Sequence, residues 1–192
     1  LGAGVPEILV TEGRRAASVA ARAWCRDPAA SMALIAITGT NGKTTTTGMT
    51  AHLLRTARLR AVEAGNIGVP VLDAIRDPQG FDAIVVELSS YQLHRMPIDG
   101  PGAVVPLASV CLNVADDHLD WHGSAQAYAA AKARVYANTR IACVYNRADE
   151  VTMQMVDPAL CNSSSKAMTA SPFFESRLPV GSSASRIEGA PT

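Results

Sequence analysis

A glycine-rich loop between an apolar run and a threonine run constrains this chain more than any other feature. The stretch LIAITGTNGKTTTTG, residues 34–48, places a short apolar run before the loop and a Lys-Thr pair after it. Backbone N–H groups of such a loop, and of the helix that follows, attract phosphate oxygens. The stretch therefore predicts a nucleotide phosphate site, in which Lys43 contacts the β- and γ-phosphates and the Thr44 hydroxyl holds Mg²⁺.

The spacing of this loop differs from that of the common phosphate-binding loop. The common pattern, G-x-x-x-x-G-K-[ST], has its first glycine about five residues before the second. Here the residue five positions before Gly42 is Ile37, and the nearest earlier glycine is Gly39. The short spacing argues against an ordinary P-loop kinase. The residues predicted to bind the nucleotide are Gly39, Thr40, Asn41, Gly42, Lys43, Thr44 and Thr45.

Short apolar runs alternate with helix-forming stretches through the middle of the chain. Four such runs are predicted to be strands, at residues 33–38, 82–90, 107–114 and 141–146. Helices are predicted at residues 44–58, 71–76 and 124–138, with Ser124 as the N-cap of the last. Such alternation is typical of an α/β fold, in which helices cover both faces of a mostly parallel sheet.

Composition divides the chain into three parts. Residues 33–150 hold the predicted strands and helices and form the predicted domain. Residues 1–32, rich in Ala, Arg and Gly, are interpreted as a remnant or linker. Residues 151–192 are rich in Ser, Ala and Pro without a sustained period, so they are predicted to be a low-complexity or disordered tail.

Polar side chains follow further predicted strands, at the sheet edge where ligands bind in open parallel sheets. Glu87 ends the second run, and it either holds a metal ion beside the phosphates or faces water. Acidic and histidine side chains, which suit a divalent cation, crowd the loop after the third run: Asp116, Asp117, His118, Asp120 and His122. Each of these alone is more typical of a solvated loop. Lys132, in a predicted helix, is by its spacing alone a surface lysine.

Charge and composition argue against several classes of partner. The 192 residues include 17 basic and 17 acidic side chains, so the chain has no net attraction for nucleic acid. No apolar run approaches the length of about 18 residues that spans a membrane, and no leader pattern opens the chain. The four cysteines form no C-x-x-C pair. We therefore expect a cytoplasmic monomer that acts on small molecules, without nucleic acid or membrane.

Five stretches, taken in order, resemble the central domain of the Mur ligases. They are GTNGKTTT, GNIG, ELSSYQL, LNVADDHLDWHGS and AYAAAKARVY. The resemblance implies a P-loop-type α/β domain that binds ATP and Mg²⁺ and forms amide bonds in peptidoglycan precursors. ELSSYQL and GNIGVP look most like the members that add D-glutamate to UDP-MurNAc-L-alanine. In those members ATP phosphorylates the substrate carboxylate, and the amine of D-glutamate then displaces the phosphate.

The resemblance also implies roles for single residues. Lys43 and the loop amides would hold the β- and γ-phosphates, while Thr44 and Glu87 would bind magnesium. His118 matches the histidine that binds a second magnesium ion. Lys132 matches the lysine whose carbamate supports that ion, which reverses the interpretation from spacing. The positions that match contacts to the UDP-MurNAc-peptide are Asn66, Ser89 and Gln92.

The other domains of the family limit what is expected of this chain. The resemblance implies an N-terminal domain for uridine diphosphate and a C-terminal domain for the amino acid, yet only about 33 residues precede the loop. We therefore expect a fragment with reduced or no ligase activity alone. The alternatives are a non-catalytic nucleotide-binding module, a different Mur ligase, and a folate polyglutamate ligase. The last usually has Gly-Ser after the loop lysine, where this chain has Thr44-Thr45.

Overall fold

The computed structural model describes residues 32–100, 102–156 and 166–170, the last range by its backbone alone. Strands β1 to β6 are Ala33–Thr38, Ala61–Gly65, Ala83–Glu87, Ala108–Cys111, Ala142–Asn146 and Lys166–Ala170. Helices α1 to α6 are Lys43–Thr56, Val71–Ile75, Ser90–Arg95, Leu119–His122, Ala125–Ala133 and Glu150–Met155. The strands form one sheet in the order β2-β3-β1-β4-β5-β6, in which every neighbouring pair is parallel. The predicted α/β class is confirmed.

Helices cover both faces of this sheet. On one face α1 packs on β1 and β3, where Ile37, Ala51 and Val85 are buried together. On the other face Ala36 belongs to a separate core cluster that includes Leu93 of α3. Successive residues of a strand point to opposite faces, so Ala36 and Ile37 serve different cores. A strand buried on both faces needs a continuous apolar run rather than an alternating one, and β1 has such a run.

β2 is a strand that the sequence analysis does not predict. Its residues AVEAG include only one β-branched side chain, so their strand propensity is low. The strand forms at the edge of the sheet by pairing with β3, from Ala61 opposite Ala83 to Gly65 opposite Glu87. Gly65 has a φ of 106°, and a Cβ there would lie 2.4 Å from the Glu87 carbonyl oxygen. Backbone pairing therefore decides this strand, and the glycine permits it.

The three predicted helices are present as α1, α2 and α5. α5 is shorter than predicted, because a 3₁₀ turn over Arg134–Tyr136 follows Ala133. Ser124 is its N-cap as predicted, since the Ser124 hydroxyl accepts a hydrogen bond from the Ala127 N–H at 3.1 Å. Within the described parts of the chain, no helix is long and apolar enough to cross a membrane.

Regular structure continues beyond residue 150, where the sequence analysis predicts none. α6 begins after Asp149, whose side chain accepts a hydrogen bond from the Thr152 N–H at 3.0 Å. β6 then pairs with β5, from Ala142 opposite Lys166 to Asn146 opposite Ala170. These are short elements formed by a cap and by backbone pairing, which leave little periodicity in the sequence. Residues 1–31, 157–165 and 171–192 lie outside the description, so the division of the chain at 33 and 150 stays a prediction.

The order of the strands places a crevice at the end of β1. β1 has β3 on one side and β4 on the other, because the chain visits β2 and β3 first and then crosses to β4. Open α/β sheets bind ligands beside the carboxyl ends of strands at such a change of direction. The segments that follow β1, β3 and β4 carry most of the predicted site residues, whereas Asn66 follows β2 and Lys132 lies in α5.

Candidate functional site

The glycine loop, residues 39–42, joins β1 to α1. Gly39 and Gly42 have φ angles of 153° and 79°, a range that glycine adopts without strain. A Cβ at Gly39 would lie 3.0 Å from the Cβ of Leu112, so the loop passes close to the segment after β4. Gly42 is the N-cap of α1 and provides no capping side chain. The two glycines are therefore required for different reasons. Gly39 lets the loop approach the segment after β4, and Gly42 begins α1 with a left-handed backbone.

The start of α1 presents backbone N–H groups that the helix does not use. The first hydrogen bond at this end runs from the Thr46 N–H to the Gly42 carbonyl at 3.0 Å. The N–H groups of the earlier helical residues therefore have no partner within the helix. They belong to Lys43, Thr44 and Thr45, which are among the residues predicted to bind the nucleotide. This arrangement suits an anion at the helix start.

The carbonyl groups of the loop are engaged by side chains. The Gly39 carbonyl accepts a hydrogen bond from Lys132 Nζ at 2.8 Å. The Thr40 carbonyl accepts one from Lys43 Nζ at 2.9 Å, and the Asn41 carbonyl accepts one from Asn113 Nδ2 at 3.1 Å. Three successive acceptors are thereby satisfied within the protein. Donors rather than acceptors remain for a ligand.

Glu87, at the end of β3, lies directly beside the start of α1. Its carboxylate accepts a hydrogen bond from the Thr44 hydroxyl at 3.0 Å and one from Asn66 Nδ2 at 3.2 Å. The side chain is only 2% exposed, so the interpretation that it simply faces water is wrong. Among the described residues no ion pair includes Glu87. A buried carboxylate without a cationic partner, next to a threonine hydroxyl, is a fitting oxygen pair for Mg²⁺.

Ser89 and Gln92, predicted to contact a substrate, form the cap of α3. The Gln92 N–H donates to the Ser89 hydroxyl at 3.2 Å, and the Ser89 N–H donates to Gln92 Oε1 at 2.8 Å. This reciprocal arrangement is a capping box. Both side chains lie at the same sheet edge as Asn66, but their present partners explain their residue types by helix capping alone. Their contact with a substrate stays a prediction.

Lys132 is buried under the loop rather than exposed. Only 2% of it is accessible, so the interpretation from spacing as a surface lysine is wrong. Its ammonium donates to the Gly39 carbonyl and lies 4.7 Å from the centre of the Tyr128 ring. Burial lowers the pKa of Lys132 from 10.5 to about 8, and the nearby Lys43 adds to this decrease. The amine is therefore far more easily deprotonated than an exposed lysine.

The loop after β4 brings His118 to the side of the crevice opposite Glu87. His118 is the left-handed N-cap of α4, with φ 51°. Its ring contacts those of Tyr91 at 4.9 Å and Tyr128 at 6.4 Å, and its Nε2 lies 3.4 Å from an Asp117 carboxylate oxygen. About 44% of the side chain is exposed. His118 is thus close to Tyr128, which in turn contacts both Thr40 and Lys132.

His122, a further predicted candidate, is held by the protein. Its Nε2 lies 3.0 Å from the hydroxyl of the buried Ser90, and its ring packs edge-on against Trp121 and Tyr128. Burial lowers the pKa of His122, and the neighbouring His94 adds to this effect. These contacts join α4 to α3 and give His122 a structural role. Asp116 is an exposed loop residue, and Asp120 is an exposed residue of α4.

The predicted metal ligands are not gathered into one cluster. Across the described ranges, no three His, Cys, Asp or Glu side chains form a group that could hold a metal ion. The pairing of Thr44 with Glu87 remains the closest match to a cation site. Mg²⁺ is typically bound by one or two protein oxygens together with phosphate oxygens and water, so such a pair fits it without a larger cluster.

Two residues that hold the loop are not predicted as site residues from the sequence. Asn113 contacts both Thr40 and Asn41. Tyr128 is 1% exposed, and its hydroxyl lies 3.1 Å from the Thr40 hydroxyl. Asn113 lies near the end of the third apolar run, so its position close to a strand end was a usable signal. Tyr128 has no such signal, because an aromatic residue in a helix is usually part of the core.

Comparison with known proteins connects these features to one family. The family described as Mur ligase middle domain matches residues 37–174, beyond the predicted end of the domain. The UDP-N-acetylmuramoylalanine--D-glutamate ligase of Leifsonia xyli subsp. xyli is 65% identical over 123 residues, which cover 64% of this chain and 24% of that enzyme. The ligase of the same name from Tropheryma whipplei (strain Twist) is 51% identical over 138 residues, or 71% of this chain and 29% of that enzyme.

A solved structure agrees with the fold. The MurF ligase of Thermotoga maritima, solved in complex with ADP, superimposes with a TM-score of 0.61 at 20% identity, over 85% of this chain and 40% of that one. The chain spans about a quarter of the length of the curated relatives it matches. Because the family match extends over more than half of its residues, the chain belongs to the Mur ligase family.

Proposed function

We propose that this chain is the ATP-binding part of a ligase that adds D-glutamate to UDP-MurNAc-L-alanine through an acyl phosphate. The observation that carries the proposal is the contact between the Thr44 hydroxyl and the Glu87 carboxylate at 3.0 Å. It joins the phosphate loop to a buried acid at the neighbouring strand end. The 65% identity to a D-glutamate ligase supports the choice of amino acid.

The reaction must bring two anions together, the γ-phosphate of ATP and the carboxylate of the growing peptide. When bound, Mg²⁺ and ATP supply the phosphoryl group and the charge that screens it. In this proposal the N–H groups of Lys43, Thr44 and Thr45 bind the phosphates. Lys43 Nζ, which now donates to the Thr40 carbonyl, exchanges that neutral acceptor for a charged phosphate oxygen. Thr44 and Glu87 would hold the magnesium ion.

Lys132 would serve the reaction as a carbamate. Its pKa of about 8 leaves a substantial neutral fraction near neutral pH. The ammonium first loses one proton, and the neutral amine then forms a nitrogen–carbon bond to CO₂ and releases a second proton, so that a cation becomes an anion. The remaining N–H can still donate to the Gly39 carbonyl, 2.8 Å away. The new carboxylate and His118 would then support a second magnesium ion.

The remaining assignments extend the proposal to the substrates. The crevice edge holds Asn66, Ser89 and Gln92, which would contact the UDP-MurNAc-peptide. For Ser89 or Gln92 to do so, one hydrogen bond of the α3 capping box must break. We further propose a monomeric, cytoplasmic enzyme that acts on small molecules without nucleic acid or membrane. The equal numbers of acidic and basic side chains support only the lack of attraction for nucleic acid.

Two experiments test the function. Calorimetry on the chain as it stands should detect binding of a non-hydrolysable ATP analogue in the presence of Mg²⁺. A chimera, in which the matching segment of the Leifsonia xyli ligase is replaced by that of this chain, should release ADP only when UDP-MurNAc-L-alanine and D-glutamate are both present. A chimera that binds the nucleotide but stays inactive would favour a non-catalytic nucleotide-binding module. Absence of nucleotide binding in both proteins would overturn the proposal.

A further inference from the structure

Asn113, the second residue after β4, makes the densest set of contacts with the glycine loop. Its Oδ1 accepts a hydrogen bond from the Asn41 N–H at 2.8 Å, and its Nδ2 donates to the Asn41 carbonyl at 3.1 Å. Its own backbone carbonyl accepts a hydrogen bond from the Thr40 N–H at 2.9 Å. One residue therefore satisfies three backbone groups on two successive loop residues.

The loop itself has no internal support. Among the backbone hydrogen bonds of the described residues, none joins two members of the range 39–42. In many turns the fourth N–H donates a hydrogen bond to the first carbonyl, but here the Gly39 carbonyl accepts from Lys132 instead. The short spacing leaves only Thr40 and Asn41 between the glycines. The shape of the loop is therefore imposed by neighbouring segments.

Only an amide side chain can make this pair of contacts. A carboxamide has a carbonyl acceptor and an NH₂ donor side by side, matching the N–H and C=O of one residue. An aspartate at this position would keep the acceptor but present a second oxygen to the Asn41 carbonyl. An alanine would remove both contacts and leave two backbone groups of Asn41 without their partners.

These contacts also decide which loop N–H groups face a ligand. Asn113 engages the N–H groups of Thr40 and Asn41, whereas those of Lys43, Thr44 and Thr45 precede the first bond of α1. We propose that Asn113 is a positioning residue that holds the Thr40-Asn41 turn, so that the start of α1 faces the nucleotide phosphates. The identity of the ligand rests on the proposed function, whereas the hydrogen bonds of Asn113 do not depend on it.

The test compares Asn113→Ala and Asn113→Asp with Asn146→Ala as a matched control. Asn146 is the last residue of β5, and its side chain also accepts a backbone hydrogen bond, from the Ala148 N–H at 3.0 Å. Amide hydrogen exchange is measured on the chain without nucleotide. In Asn113→Ala the exchange of the Asn41 N–H should accelerate by about tenfold or more, since a protecting hydrogen bond is lost. Asn113→Asp should retain part of that protection, and the control should retain all of it.

Calorimetry with the Mg²⁺ complex of the ATP analogue gives the second measurement. Both Asn113 variants should bind about tenfold more weakly, while Asn146→Ala binds as the unmodified chain does. An unchanged Asn41 exchange rate in Asn113→Ala overturns the inference, as does unchanged nucleotide affinity in both Asn113 variants. If the unmodified chain binds no nucleotide, the proposed function fails, and the exchange rates alone decide whether Asn113 holds the loop.

Discussion

The two sides of the crevice differ in how they are held. On the phosphate side, the loop, Glu87 and Lys132 are buried or tied by hydrogen bonds of 2.8 to 3.2 Å. On the other side, His118 is 44% exposed and has one polar contact at 3.4 Å together with ring packing. The phosphate side is therefore arranged by this segment of chain alone. The His118 side has room to change when a ligand arrives.

This difference predicts that substitutions on the phosphate side act on the reaction most strongly. Lys43→Ala in the chimera should lower ATP-dependent turnover by about 10³-fold, because it removes the ammonium that would bind the phosphates at the start of α1. The side chain is only partly buried and its present partner is the Thr40 carbonyl, so the melting temperature should change little. Measuring kcat for ADP release checks the expected loss of turnover. Near-normal turnover in this variant would refute the role given to the loop.

Glu87→Gln separates charge from packing on the same side. The amide has nearly the shape of the carboxylate and can still accept from the Thr44 hydroxyl, but it lacks the charge that attracts Mg²⁺. The Mg²⁺ concentration for half-maximal turnover in the chimera should rise about tenfold. Stability should change little, since the neutral amide costs less to bury than the carboxylate but cannot also accept from Asn66 Nδ2. The control is Glu63→Gln, which removes the charge of a β2 residue that forms an ion pair with Arg55 of α1. This control should leave the Mg²⁺ dependence unchanged.

Lys132→Met tests the buried amine through pH. The pKa of Lys132 is lowered to about 8, so between about pH 8 and 10.5 the unfolded chain holds more protons than the folded chain. The contribution of Lys132 to stability must then rise with pH across this window, by up to roughly 3 kcal/mol. The rise should be missing in the Met variant when urea unfolding is followed in bicarbonate-free buffer. Equal pH slopes in the two proteins would show that the amine is not buried as described.

How far the sequence predicts this site follows from the same comparison. The loop, α1 and the strand ends at Glu87 and Asn113 were predictable, because continuous apolar runs and glycine spacing are local signals. β2 and β6 were not, because each is stabilised by pairing with a neighbour rather than by its own propensity. The burial of Lys132 was also beyond spacing, since the acceptor that permits it, the Gly39 carbonyl, is 93 residues away in sequence. Lys132 was predicted as a site residue only through the resemblance to the Mur ligases, and its contact with the Gly39 carbonyl explains why it can be buried.

His118→Asn probes the less constrained side and should have the smallest effect on the chain alone. Asparagine tolerates the left-handed backbone of this position better than most residues, so the substitution removes the ring and leaves the loop geometry intact. The lost contacts are the packing of a half-exposed ring against Tyr91 and Tyr128 and one long contact to Asp117. The free energy of unfolding should fall by less than about 1 kcal/mol, and affinity for the ATP analogue should stay within about threefold. A loss of more than about 2 kcal/mol in urea unfolding would mean that this loop is as firmly built as the phosphate side. The contrast between the two sides would then fail, and His118 would have to be regarded as part of the core that supports Tyr128.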